Sequence, residues 1–326
     1  MTEGGENVVI TTGDCSLTIL PALGGKIASL RIGSIELLHG PLKPYGPRDR
    51  TMDFSAADAS GWDECLPSVA ACSVTTFAGE AAVPDHGDLW RVPWQVLEAT
   101  EDSITMRARC FSLPLELIRS LILTETPLGW RIRMLYSLTN VGGARISWAW
   151  SAHPLFACVE GDRIVLPEAT HTLRLEGSRG NRLGVRGDSV AWPLAALAGN
   201  APNAASLTDL SRVPAENTGI GEKLFAGPMH QGWCLLERAS IGLRIKVSFD
   251  TAITPYLGLW ICYGGWPEGE GLKQVCIAPE PATAPVDSLA ETGDWSRWLE
   301  AGETVNWPME VEIERIARNS VEGPIQ

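Results

Sequence analysis

Strict alternation of apolar and polar side chains over Ser103–Phe111 restricts the folds open to this chain more than any other feature. Ile104, Met106, Ala108 and Cys110 point one way and Thr105, Arg107 and Arg109 the other, the period of a strand with one buried and one wet face. Trp130–Thr139 repeats the pattern, with Trp130, Ile132 and Met134 opposed to Arg131 and Arg133. Leu115–Thr124 lies between the two and reaches the second through Thr126-Pro127-Leu128-Gly129; Asn140-Val141-Gly142-Gly143 then turns into Arg145–Trp150. Consecutive strands joined by turns this short predict an antiparallel meander.

The rest of the chain reads the same way. Val8–Thr12 and Ser16–Leu20 flank a Gly13-Asp14 turn, followed by Lys26–Ile32 and Ile35–Leu38. Later runs at Gly232–Glu237, Ile241–Phe249, Tyr256–Tyr263, Lys273–Ile277 and Val305–Ile316 are strand-like, while residues 160–220 show only weak strands at Arg163–Leu166 and Thr172–Leu175. The single helical expectation is one turn at Trp295–Leu299. With no repeat, no linker and no long amphipathic helix, the 326 residues predict one all-β domain spanning 1–326, its core at about 8–316, built as a mostly antiparallel sandwich of sheets.

Charge narrows the partners. A net charge of −13 and a pI of about 4.9 argue against a nucleic-acid partner, which needs a basic stripe, and mildly against polyanionic substrates. Hydrophobic residues at 45% and a mean hydropathy of +0.03 are those of a soluble globular chain. No apolar run is long enough to span a membrane, and the acidic N-terminus lacks a signal-peptide pattern, so a cytoplasmic location is the default. Cys15, Cys65, Cys72, Cys110, Cys158, Cys234, Cys262 and Cys276 show no paired metal spacing and are expected to be buried free thiols.

Three segments break the strand pattern. His39–Gly61 is a long loop rich in Pro, Gly, Asp and Arg, and loops of that length tend to be functional. It ends in Gly61-Trp62-Asp63-Glu64-Cys65-Leu66-Pro67, where adjacent carboxylates suggest either a ligand-facing edge or a solvated surface. Pro84–Trp94 places Asp85, His86, Asp88 and Arg91 between two prolines and two indoles, with Gly87 free to adopt backbone angles closed to other residues. Ser151-Ala152-His153-Pro154 interrupts an apolar run, and Glu280 sits between Pro279 and Pro281 at the end of another, a costly place for a carboxylate without a task. His86, His153 and Glu280 make an acid–base set, provided the fold brings them together.

The order of Gly24-Gly25-Lys26-Ile27-Ala28-Ser29-Leu30, His86-Gly87, His153-Pro154, Glu280-Pro281 and Gly302-Glu303-Thr304 resembles the galactose mutarotase, or aldose 1-epimerase, superfamily over nearly the whole chain. The resemblance implies a β-supersandwich whose open face binds a sugar. It implies Glu280 as the base at the anomeric hydroxyl, His153 as the acid at the ring oxygen, and His86 as the group polarising that oxygen, with no redox cofactor or metal. The chemistry suits those residue types, because ring opening needs a base and an acid at once with their proton affinities held apart. Trp90 stands where many relatives carry an arginine, with Arg91 adjacent, and Asp-Glu-Cys-Leu-Pro marks a divergent branch.

Asp63, Glu64, Asp85 and Asp88 are the candidate carboxylates for sugar hydroxyls, Arg91 a further polar contact, and Trp90, Trp260 and Trp266 candidate stacking rings. Trp130, Trp148 and Trp307 read as core. A hexose-6-phosphate epimerase is the second enzymatic reading, with Arg48, Arg50 and Arg91 as the phosphate recess. A non-catalytic carbohydrate-binding protein is the third, and a metal site from Asp85, His86, His153 and Glu280 has no local ligand motif behind it.

Overall fold

The computed structural model describes residues 7–199, 207–215 and 218–316; the acidic residues 1–6 lie outside them. Two antiparallel sheets carry the fold, and no helix among the described residues reaches seven residues. The larger, 12-stranded sheet runs in the order Val8–Thr12, Cys15–Leu20, Lys26–Ile32, Trp62–Cys65, Ser151–Pro154, Val275–Ala282, Tyr256–Tyr263, Ile220–Ala226, Thr172–Ser178 and Ser189–Ala191, with two short strands off this path. The smaller sheet has eight strands and contains the expected meander: Ser103–Arg109, Leu115–Thr126 and Gly129–Asn140 pair in sequence order, and Thr304–Arg315 continues beside the last. No helix among the described residues is long and apolar enough to cross a membrane.

Alternation builds the core. Ile104, Met106 and Ala108 join Leu117, Leu121, Leu123, Ile132 and Met134 in one buried cluster that also takes residues of the larger sheet, such as Leu17, Ile27 and Leu259. Trp130, Trp148 and Trp307 are buried, and all eight cysteines are free.

Two expectations need correcting. Arg145–Trp150 is not one strand: Ile146–Trp148 pairs with Arg297–Leu299, and the chain then crosses into the larger sheet as Ser151–Pro154. The helical turn falls earlier than expected, at Gly293–Trp295, and Arg297–Leu299 is extended. Leu299 is buried while Trp298 is exposed, a two-residue period, and the backbone of Ile146–Trp148 supplies the hydrogen-bond partner that favours a strand.

A buried polar network crosses between the sheets. Arg119, from Leu115–Thr126, donates to Glu64 Oε1 on Trp62–Cys65 at 2.8 Å, and both side chains are fully buried. Tyr136 Oη donates to the same oxygen at 3.1 Å, Trp150 Nε1 to Oε2 at 3.0 Å, and Arg119 also bonds the Gly25 carbonyl. Removing one member of such a pair strands the other charge in a medium that solvates it poorly. Glu64→Leu is therefore expected to destabilise the fold by about 3–5 kcal/mol, and Glu64→Leu with Arg119→Met by less. Denaturant midpoints of the two variants check this, and a double variant no more stable than the single one would contradict it.

Candidate active site

The middle of the larger sheet brings the separated motifs together. On Val275–Ala282, Glu280 pairs with Gly258, which has no side chain; Gly258 in turn pairs with Phe225 on Ile220–Ala226. The bare backbone of Gly258 leaves room for the Glu280 side chain and the Phe225 ring, which a Cβ there would crowd, and Lys223 reaches diagonally across Tyr256–Tyr263 to bond Glu280 Oε2. On the other side, Ser151 pairs with Ala282, and two residues along from that pair His153 Nε2 lies 3.9 Å from Glu280 Oε1. Glu280 is fully buried, and Oε1 has no hydrogen-bond partner.

His86 comes from the loop rather than from a strand. Its backbone takes φ +57 and Gly87 follows at φ +67, a reversal that presses the loop against the Leu66 carbonyl so closely that a Cβ on Gly87 would overlap it. Gly24 and Gly25 do the same beneath the far end, where side chains would collide with Trp90 and Trp94. The His86 ring stacks on Phe54 with centroids 3.9 Å apart and planes 4° from parallel, and it meets His153 edge-on at 5.2 Å. Asp85 Oδ2 lies 2.8 Å from His86 Nδ1. A carboxylate accepts there, so the contact suits an imidazole that carries a proton on Nδ1.

These side chains line a cleft of about 440 Å3 together with Asp53, Val69, Trp260, Trp266, Gln274 and Asp287, within the range of small-ligand sites. Trp260 Nε1 donates to Gln274 Oε1 at 2.9 Å. A larger depression of about 790 Å3, formed by residues 167–172 and 227–231, contains the exposed His171 and His230 and none of the groups above.

Of the residues singled out in the sequence, Glu280, His153, His86, Asp85, Trp260 and Trp266 meet in this cleft. Asp63, Glu64, Asp88, Trp90 and Arg91 do not line it. Asp63 is buried in ion pairs with Lys26 (2.5 Å) and Arg48 (3.7 Å), and Glu64 holds Arg119. Asp88 Oδ2 takes three hydrogen bonds of 2.8 Å from the Phe111 and Ser112 backbone and the Ser112 hydroxyl. Arg91 binds the carbonyls of Met52, Asp85 and Gly87, stitching the two long loops together. Trp90 is fully buried, with both Arg48 and Arg91 over its ring and the edge of Phe54 at 5.3 Å, so it braces the ring beneath His86 instead of facing a ligand. A carboxylate beside a Trp looks the same in sequence whether it meets a sugar or an arginine.

Phe54, Lys223 and Asp287 are the functional candidates that sequence reasoning missed. Phe54 had a usable signal, an apolar ring in an otherwise polar loop. Lys223, in Glu222-Lys223 on a strand, had none. The phosphate recess also dissolves: Arg48 is spent on Asp58 and on the Leu23 and Trp90 carbonyls, Arg50 lies over Phe111, and no arginine lines the cleft among the described residues. No group of three or more histidine, cysteine or acidic side chains is placed to hold a metal ion among those residues.

Burial separates the proton affinities. It pushes the His153 imidazole well below the usual histidine range, helped by the nearby charges of His86, Lys223 and Lys26. Burial raises the Glu280 carboxyl, with Asp287 adding to the rise, while Lys223 and His86 pull it back. Burial also works against charge on Lys223, but Asp287 and Glu280 outweigh it and raise the amine. Asp85 is pushed up by burial and more than pulled back by the His86 hydrogen bond and charge, ending lower.

No protein-family model and no curated protein matches the chain. Solved structures do. The fold is similar to that of a candidate aldose 1-epimerase from Escherichia coli K12 (TM-score 0.68, 16% identity, 95% of this chain and 99% of that one). It is also similar to a galactose mutarotase-like protein from Lactobacillus casei (0.64, 16%, 95% and 100%) and a galactose mutarotase related enzyme from Lactobacillus acidophilus (0.66, 12%, 96% and 99%). At these identities the likeness is one of fold.

His153 is expected to stay neutral in the free protein from pH 8 down through pH 6, because charging it needs a proton in a buried site already facing cations. Imidazole 15N shifts across that range measure this, and a midpoint near the ordinary value of about 6.5 would contradict it.

Proposed function

We propose that this chain, a galactose mutarotase-like fold working as one carbohydrate-binding catalytic domain, interconverts the α and β anomers of a free aldose. The observation that carries the proposal is Glu280: a carboxylate with one oxygen tied to Lys223 and the other without a partner, in a cleft it shares with two imidazoles. Oε1 takes the proton from the C1 hydroxyl as the C1–ring-oxygen bond breaks and the ring oxygen gains a proton. The C1–C2 bond of the open aldehyde rotates, and closure reverses each transfer.

The two imidazoles divide the acid's work, and the geometry favours a division opposite to the one the resemblance implies. His86 has Asp85 behind it, so a positive charge gained at Nε2 is offset by a carboxylate 2.8 Å from Nδ1. His153 Nδ1 has no partner and its surroundings oppose a charge. His86 therefore delivers the proton, and neutral His153 orients the ring oxygen through a hydrogen bond. Trp260 and Trp266 offer apolar faces to a pyranose, and Asp85, Gln274 and Asp287 face its hydroxyls. With four carboxylates lining the cleft and its one lysine already paired, an uncharged sugar fits better than a phosphorylated one.

Magnetisation-exchange NMR on a panel of aldoses tests this. Anomer exchange is expected to accelerate for a free sugar and not for its 6-phosphate. Glu280→Gln and His86→Gln should each lose about 10²–10⁴-fold of the acceleration while sugar binding persists, and His153→Gln less. Sugar binding without acceleration would favour the carbohydrate-binding reading, and a larger loss from His153→Gln would return the acid's role to that residue.

A further inference from the structure

Lys223 is chemically out of place beside an aldehyde-forming centre. A free lysine amine there would condense with the carbonyl that ring opening exposes. Its side chain is one-tenth exposed, bonded to Glu280 Oε2 and 3.6 Å from Asp287 Oδ1. The carboxylates therefore share one ammonium. Two acids this close cannot both ionise cheaply without a cation between them, and Glu280 is also wholly removed from solvent.

Resting on the reading of Glu280 as the base, we propose that Lys223 is a positioning residue acting through Glu280. Its ammonium pins Oε2, keeps the carboxylate charged and leaves Oε1 as the only oxygen that can meet the anomeric hydroxyl. Held between two carboxylates, Lys223 remains an ammonium ion and does not attack the open-chain aldehyde. The groups facing Glu280 are Lys223 from Ile220–Ala226, Asp287 from the segment after its own strand, His153 from Ser151–Pro154, His86 from the loop, and two thiols, Cys65 from Trp62–Cys65 and Cys276 from its own strand. Both thiols are held neutral, burial raising them well above the usual thiol range. Lys223 is thus the one of these groups with a permanent positive charge in contact with the carboxylate.

The arrangement predicts shifts of opposite sign. Without Lys223, only His86 still opposes burial and Asp287 at Glu280, so the acidic limb of the kcat–pH profile should move up by about 1–3 pH units in Lys223→Met. Activity at pH 7 falls accordingly and returns as the pH rises past the new limb. Lys223→Arg should restore the limb. In Asp287→Asn a like charge disappears and the limb should move down. Circular dichroism confirms folding of each variant, and borohydride added during turnover should leave no sugar on Lys223. A pH-independent loss in Lys223→Met, limbs moving the same way in both variants, or a reduced sugar adduct on Lys223 would each overturn the proposal. Glu280→Gln distinguishes the two levels: if it keeps wild-type exchange, the base assignment itself falls, whereas an inactive Glu280→Gln beside an unshifted Lys223→Met limb sinks the role of Lys223 alone.

Discussion

The structure depends on the buried pair of Glu64 and Arg119, the ion pair at the centre of a polar network that joins the two sheets through a largely apolar core. Burying two charges is expensive unless every remaining donor and acceptor finds a partner, and here Tyr136, Trp150 and the Gly25 carbonyl come close to doing so. The Nε of Arg119 is the one guanidinium atom left without a partner. The consequence for the site is positional. Trp62–Cys65 is held to Lys26–Ile32 by a single pairing, Ile27 with Trp62, while it pairs along its whole length with Ser151–Pro154. A strand so weakly held on one side needs the pull of Arg119 from below, and the strand it supports carries His153.

A second set of buried cations organises the surface above. Lys26 gathers Asp58 and Asp63, Arg48 bridges Asp58 to the Leu23 and Trp90 carbonyls, and Arg91 joins Met52 to Asp85 and Gly87. Each tie fastens one long loop to another loop or to the sheet edge. Their joint product is the stack of Trp90, Phe54 and His86. An imidazole on a loop would ordinarily be mobile, and the proton transfer proposed for His86 asks for a fixed one. Spending three buried cations on backbone carbonyls and structural acids converts an irregular segment into a rigid wall, and it also removes the charges that a phosphate would have needed.

The strands were legible because their physics is local. Alternation over Ser103–Phe111 is enough to say that one face is buried, whatever lies opposite. That Glu280 and His153 would stand apart from the core was legible because a charged or titratable group beside proline in an apolar run conflicts with its surroundings, and both line the cleft. Asp63, Glu64 and Asp88 show the limit of that signal. Each conflicts with its neighbours just as visibly, but its compensation comes from Lys26, Arg119 or Ser112, 37, 55 and 24 residues away. No local pattern reveals such a partner. Lys223 failed for the opposite reason: beside Glu222 on a strand, it looks like half of an ordinary surface pair.

Glu64 and Glu280 therefore make an instructive contrast. Both are fully buried, both carry a cation, and both stand on strands of the larger sheet. Burial raises the proton affinity of each, and the cation lowers it. Glu64 has both oxygens engaged by protein: Oε1 accepts from Arg119 and Tyr136, and Oε2 from Trp150, and it does not line the cleft. Glu280 has one oxygen engaged and the other unpartnered in a cleft lined by two imidazoles. An unmet acceptor costs stability in the folded state, and that of Glu280 lies where a ligand entering the cleft could meet it. The same electrostatic device of a carboxylate buried against a cation serves cohesion where both oxygens are held by protein and, in the function proposed above, proton transfer where one oxygen is left open.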